Sequence, residues 1–316
     1  MKRLLLCSLF FSVKNKTLKA IKFLFLGITL WYLFDKIYPH RNRFQEDILL
    51  QATQKSLLFP LVCLLLVIPN WWLESLKWKR CMHKVEQITW KESFMAVLSG
   101  VSWGLFSPNR TGEFIGRLAF VPKGKRLDAI TLHMALSFTQ QSITFFGGLI
   151  PAVLFFKNHH LPAPWIWMIS GLLILLMLIL LFRDSLLVYL QPVAAHVREV
   201  LYRFSRLDWI YYTFLSFCRY SIFVLQYFLL LKFFGMEISF GEALPLIALN
   251  FFLVSLIPSF ALSEIGVRGA VAMLVFSNYL LPPTLILSAS LALWIFNLGI
   301  PALLGIGAFL QHKVDA

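Results

Sequence analysis

Six stretches of this 316-residue chain, at about 18–34, 56–76, 129–156, 165–182, 209–234 and 284–310, run with almost no charge for long enough to span a bilayer as helix. A helix rises 1.5 Å per residue and the hydrocarbon layer is about 30 Å thick, so each run can cross it. In such a chain every backbone amide must be satisfied internally, which leaves helices as the spanning elements. With 59% apolar and 14% charged residues, a water-soluble fold is excluded on composition. The expected class is an all-α polytopic membrane protein with about six transmembrane helices. The net charge of +14 then reports topology and anionic lipid, with no nucleic acid expected.

Two further apolar regions, 93–120 and 243–281, are each interrupted by a proline and polar residues. Lys and Arg counts decide how they lie. The leader 1–22, the segments 77–91, 123–126 and 183–207 and the tail carry nineteen, against six on the other faces. The positive-inside tendency puts the first set, with both termini, in the cytoplasm. Basic segments on both sides of 93–120 then require the chain to enter and return, and 243–281 does the same from the opposite face. Both regions are expected as re-entrant broken-helix hairpins.

The two hairpins align. Glu92 precedes Pro108 by 16 residues and Glu242 precedes Pro258 by 16; Glu113 and Glu264 follow, each four residues before an arginine, Arg117 or Arg268. Duplicated units of opposite orientation form the inverted-repeat plan of secondary transporters. The chain therefore reads as one integral membrane domain over 1–316. It divides into a basic lead-in at 1–22, a first repeat at 56–156, an interfacial connector at 183–207 and a second repeat at 209–310.

Counting 25 of the 29 basic residues into loops and ends leaves Arg110, Arg117, Arg219 and Arg268 at membrane depth, with no lysine among them. Glu113 and Glu264 are the carboxylates available to them. Each can pair with the arginine four residues on, which is the structural alternative to ligand binding. Arg110 and Arg219 remain without a counter-charge, a formal +2 that an anion would relieve. Guanidinium forks suit phosphate oxygens, and helix N-termini following Pro108 and Pro258 would add amide donors. These six residues are the expected substrate-binding set, for an anionic phospholipid or an isoprenyl phosphate. No metal site or cofactor is expected, since cysteines and histidines are scattered and no nucleotide-binding loop is present. Gln140, Gln141, Gln226, Asn250 and Asn297 could line a polar path or serve as interhelical hydrogen bonds, and His133 could carry a proton or be structural.

At these residues the sequence resembles the transmembrane region of lysylphosphatidylglycerol synthases. The likeness rests on P-N-R-T-G-E at 108–113 with Arg117, on the basic stretch Pro122-Lys123-Gly124-Lys125-Arg126, and on E-I-G-V-R-G at 264–269. The chain departs from the pattern in the spacing of Arg117 and in having Ser263-Glu264 before, and Gly269 after, the second arginine. The resemblance implies a membrane domain, in a bacterial cytoplasmic (inner) membrane, that moves or flips lipids. Only six residues follow the last run, so the cytosolic aminoacyl-transfer half of the full-length enzymes is expected to be missing and enzymatic activity is not expected. Two other readings stay open, a non-catalytic membrane partner protein and a membrane-embedded enzyme acting on lipid phosphate. Self-association as a homo-oligomer is left open as well.

Overall fold

A computed structural model describes residues 56–105, 107, 110–158, 194–257, 259, 261–279 and 281–315. The lead-in 1–22, the runs 18–34 and 165–182, the first part of the connector (183–193), and Pro108 and Pro258 lie outside the described residues.

Among the described residues all regular structure is helical: α1 (Leu58–Met82), α2 (Trp90–Leu105), α3 (Glu113–Leu118), α4 (Arg126–Asn158), α5 (Arg206–Phe233), α6 (Phe240–Leu256), α7 (Ala261–Val275), α8 (Pro283–Trp294) and α9 (Ile300–Asp315). Four segments are long and apolar enough to cross a membrane: Leu58–Met82, Lys123–Phe155, Arg206–Phe233 and Pro283–Gln311. They coincide with four of the six runs read from the sequence. Their outer faces carry large exposed apolar side chains, among them Leu61, Leu65 and Ile68 on α1, Phe138, Phe146 and Ile150 on α4, and Phe214 and Phe217 on α5. Contiguous apolar surface of this kind is what a lipid-facing helix presents, and a soluble helix would bury it.

The last crossing is not one uniform helix. A π-turn at Ile295–Gly299 separates α8 from α9. Pro301 is the local reason: it has no amide proton to give the carbonyl four residues earlier, that of Asn297, so the ladder loosens there.

Both interrupted regions are helix–break–helix units, α2–α3 and α6–α7, and each begins with the same device. Thr89 and Glu92 cap α2 reciprocally, the Thr89 amide donating to Glu92 Oε2 at 2.7 Å and the Glu92 amide to Thr89 Oγ1 at 3.2 Å. Ser239 and Glu242 do the same for α6 at 3.0 and 3.4 Å. These capping boxes satisfy amides that have no partner within the helix. They fall 150 residues apart, the same offset as Pro108 and Pro258.

Packing repeats the offset. Helix α9 lies against α2, where a Cβ at Gly305 would fall 2.0 Å from the Leu98 carbonyl oxygen and 2.4 Å from Ser102 Oγ. Helix α4 lies against α6, where a Cβ at Gly148 would fall 2.8 Å from the Ala248 carbonyl oxygen and 2.2 Å from Phe252 Cβ. Leu98 with Ala248, and Ser102 with Phe252, are again 150 apart. The long helix of each half thus packs on the broken unit of the other half, and glycine permits the backbone approach that holds helices together in lipid.

Candidate functional site

The first break is shaped by Ser107. Its hydroxyl donates to the Gly104 carbonyl at 3.0 Å and accepts from the Gly112 amide at 2.6 Å, folding the chain back on itself. Gly112 lies close enough that a Cβ there would fall 2.7 Å from Ser107 Oγ. Arg110, at the apex, has φ of 59°, a left-handed conformation that non-glycine residues seldom hold without support. That support includes an ion pair of 2.6 Å from Arg110 Nη2 to Glu113 Oε1. A helix does start after Pro108, with Gly112 as its N-cap, but it has only six residues and the Gly112 amide is spent on Ser107.

Behind the break, α3 returns against α2 at very short range. A Cβ at Gly116 would meet the Ser99 carbonyl oxygen at 2.3 Å, and one at Gly100 would meet the Glu113 carbonyl oxygen at 2.8 Å. This contact sends Arg117 inward, where it is 1% exposed, with Nη2 2.8 Å from Glu74 Oε1 and 3.6 Å from Glu113 Oε2. Its guanidinium also lies 4.9 Å from the Trp78 ring.

Glu74 and Lys77 are the residues that the sequence reading missed. Both sit in the last three turns of α1, where Lys77 reads from the sequence as a cytoplasmic loop charge. In the folded chain Lys77 is 1% exposed, 3.2 Å from Glu74 Oε2 and 3.0 Å from Ser216 Oγ. Arg219 of α5 pairs with Glu74 Oε2, and its Nε donates to Asn70 Oδ1 at 3.0 Å. The carboxylate thus joins α1, α3 and α5. The i, i+3 spacing of Glu74 and Lys77 on a tryptophan-rich stretch was the available signal for them.

Two expectations are therefore corrected. Arg110 and Arg219 do have counter-charges, Glu113 and Glu74, and a lysine does join the buried arginines. The net balance survives with different members. Five cations (Lys77, Arg110, Arg117, Arg219, Arg268) face three carboxylates (Glu74, Glu113, Glu264), a formal +2 among the described residues. On the second broken unit, Arg268 donates to Glu264 Oε1 from Nη2 at 2.6 Å and from Nε at 3.0 Å, the i, i+4 pair read from the sequence.

These groups surround a cavity of about 350 Å³. Arg110 and Glu113 reach it from the first break, Glu264 and Arg268 from the second, and Glu74, Lys77 and Arg219 from α1 and α5. Five of the six residues singled out in the sequence line it. Arg117 does not; it stands behind Glu74 as a buried support. Gln140, Gln141 and His133 line the wall formed by α4, together with Thr144. The opposite character is supplied by Leu136, Phe223, Phe251, Val254 and Ile257. The cavity lining therefore combines charged and apolar side chains.

The remaining polar candidates separate. Asn297 Nδ2 donates to Gln226 Oε1 at 3.1 Å, Asn70 Nδ2 donates to Asn297 Oδ1 at 2.9 Å, and Gln226 Nε2 donates to the Cys63 carbonyl at 2.8 Å. That chain ties α1, α5 and the π-turn together and ends at Arg219, so these amides are interhelical bonds rather than a path. Asn250 is buried and does not line the cavity. Asp128 meets the connector, with its carboxylate 2.9 Å from His196 Nε2 and 3.5 Å from Arg203 Nη1.

The sequence profile of the family described as Lysylphosphatidylglycerol synthase TM region matches residues 9–305. No match is found among curated proteins.

Proposed function

Since the chain belongs to the Lysylphosphatidylglycerol synthase TM-region family, we propose that it is a lipid transporter that moves a phosphate-bearing lipid between leaflets. The head group is held in the arginine-lined cavity. One observation carries this reading: a single cavity meets both broken helical units and is lined by charged and apolar side chains together. A lipid likewise joins a charged head group to hydrocarbon chains. Arg110 and Arg268 are each 24% exposed at the side chain and each is held by one neighbouring carboxylate. An entering phosphate would offer these guanidiniums a second anionic partner with a geometry suited to their planar fork.

Movement follows if the two broken units alternate. With the cavity between them, tilting of one unit exposes the same arginines to one leaflet, and tilting of the other exposes them to the opposite leaflet. A gradient, or the lipid's own asymmetry, sets the direction. The integral membrane location is given by the spanning helices; the inner membrane and cytoplasmic termini belong to this proposal.

Reconstitution tests it. Vesicles containing the protein should translocate a fluorescent phospholipid faster than protein-free vesicles and return it chemically intact. Arg110→Ala and Arg268→Ala should each slow translocation in both directions. Translocation that survives loss of both arginines in correctly folded protein overturns the site. A covalently altered head group that disappears in Glu113→Gln overturns transport in favour of an enzyme.

A further inference from the structure

We propose that the cavity opens sideways into the hydrocarbon layer through α4. Ser137 and Gln141 form the edge across which the neck of the lipid passes while its acyl chains stay in the bilayer; this inference rests on the lipid-transport reading above. Exposure carries it first. Among the residues that line the cavity, Ser137 and Gln141 are exposed, and the others are buried or half-buried. A residue that both lines a cavity and lies open at the surface marks its mouth. The two are four residues apart on one helix, so they share a face and frame the same opening. The membrane-crossing segment Lys123–Phe155 is centred on Thr139, two residues from each of them, or about 3 Å along the axis. Met134, Phe138, Phe145 and Phe146 around them are exposed apolar side chains of the kind that face lipid. The mouth therefore meets hydrocarbon near mid-depth rather than water at either end of the helix.

The hydrogen bonds of α4 carry it independently. Other hydroxyls on this helix are satisfied by the carbonyl one turn back: Thr131 donates to Leu127 at 3.0 Å, Ser142 to Phe138 at 2.8 Å and Thr144 to Gln140 at 3.3 Å. The side chains of Ser137 and Gln141 make no hydrogen bond among the described residues. Polar groups facing hydrocarbon without a partner are costly, so these two are placed to bond something that passes between cavity and lipid. Ser137 Oγ and Gln141 Nε2 are donors, and the ester and linkage oxygens at a phospholipid's neck are acceptors. Size agrees. At about 350 Å³ the cavity is at the small end of pockets that enclose a drug-sized molecule, roughly 300–1,000 Å³. It admits a head group, and two long acyl chains do not fit with it. Halfway through the crossing the head group lies inside, the neck crosses the edge of α4, and the chains remain outside in the bilayer.

Two measurements on the full chain in reconstituted vesicles test this. Ser137→Cys and Gln141→Cys, each in a cysteine-free background and carrying a fluorophore, should be quenched by phospholipid brominated at mid-chain as strongly as a label at Phe138→Cys, and spared by aqueous iodide. Quenching by iodide alone shows a mouth open to water, and quenching by neither shows a face covered by another helix of this chain or of a second copy; either result overturns the inference. In the second measurement, Ser137→Leu combined with Gln141→Leu should slow translocation of a fluorescent phospholipid about tenfold, the worth of two modest intramembrane hydrogen bonds. Thermal unfolding of that variant should match wild type, because neither side chain bonds within the described protein, and Ser137→Thr with Gln141→Asn should keep most of the rate. Phospholipids that share a head group and differ in acyl-chain length should move at similar rates. An unchanged rate in the leucine variant, or rates that collapse as the chains lengthen, overturns the inference and leaves lipid transport standing. Wild-type vesicles that move no lipid overturn the transport reading and this inference with it.

Discussion

Two broken helical units share a capping box, an interruption, a Glu–Arg spacing and a glycine contact with a helix from the other half, yet they hold their arginines differently. In the first, the return arm α3 is six residues long and the apex residue Arg110 takes φ of 59°. In the second, the return arm α7 runs for 15 residues. Arg117 is 1% exposed at the side chain and bonded across to Glu74, whereas Arg268 is 24% exposed and bonded within its own helix to Glu264. A repeated sequence motif thus yields one arginine that supports and one that faces the cavity. The cause lies outside the motif: α1 offers a buried carboxylate to the first unit, and the second unit finds its carboxylate one turn away on its own helix.

The sharpest way to break the comparison is topological, because its outcome is all or none. If the units enter from opposite faces, single cysteines at His83 and Lys125 in a cysteine-free background should react with an impermeant reagent from one side of sealed vesicles. Cysteines at Glu237 and Ser277 should react from the other side. Labelling of all four positions from one side would remove the inverted relationship while leaving the 150-residue correspondence in place.

The next largest effect should be on stability. Glu74→Gln leaves Lys77, Arg117 and Arg219 without their shared carboxylate, and Arg117→Ala removes a fully buried partner of Glu74 together with its contact on Trp78. Breaking a buried pair in this manner costs about 3–5 kcal/mol. Arg268→Ala, which removes a part-exposed guanidinium, should cost less. Thermal unfolding in detergent checks the order, and equal melting temperatures for Arg117→Ala and Arg268→Ala would erase the distinction between support and cavity residue.

Smaller, matched losses should come from the glycine contacts. Gly305→Ala and Gly148→Ala force a methyl against backbone or Cβ atoms, at 2.0 and 2.2 Å respectively, and should each cost about 1–3 kcal/mol. Gly124→Ala meets nothing within 4 Å and should be close to neutral. A large loss in only one of the first two would mean that the halves are not equivalent in packing. The smallest effect belongs to the caps, where Thr89→Ala and Ser239→Ala should each cost about 1 kcal/mol. Limited proteolysis or hydrogen exchange at the starts of α2 and α6 would detect it as local fraying.

Much of this architecture is written in local chemistry. Long runs without charge dictate spanning helices because unpaired backbone has no place in hydrocarbon. Proline and polar residues inside two further runs fix where helices must break, and the Glu–Arg spacing four residues apart gives the Arg268–Glu264 pair directly, since those residues share a helical face. Five of the six expected site residues reach the cavity for the same reason: a charge in an apolar run must turn toward protein or water rather than lipid. Other features depended on contacts between residues far apart in the chain. Lys77 follows an apolar run at its basic end and reads as a loop cation; only the approach of α5, with Ser216 and Arg219, buries it. Glu74 is one carboxylate among tryptophans until α3 and α5 bring two guanidiniums to it from 43 and 145 residues away. The side chain of Arg117 chooses Glu74 over the local Glu113 because the contact of Gly116 with Ser99 sets the position of α3. Sequence spacing determines which residues share a helical face, whereas the partner of a buried charge is selected by where neighbouring helices come to rest, and that is a property of the packed tertiary structure.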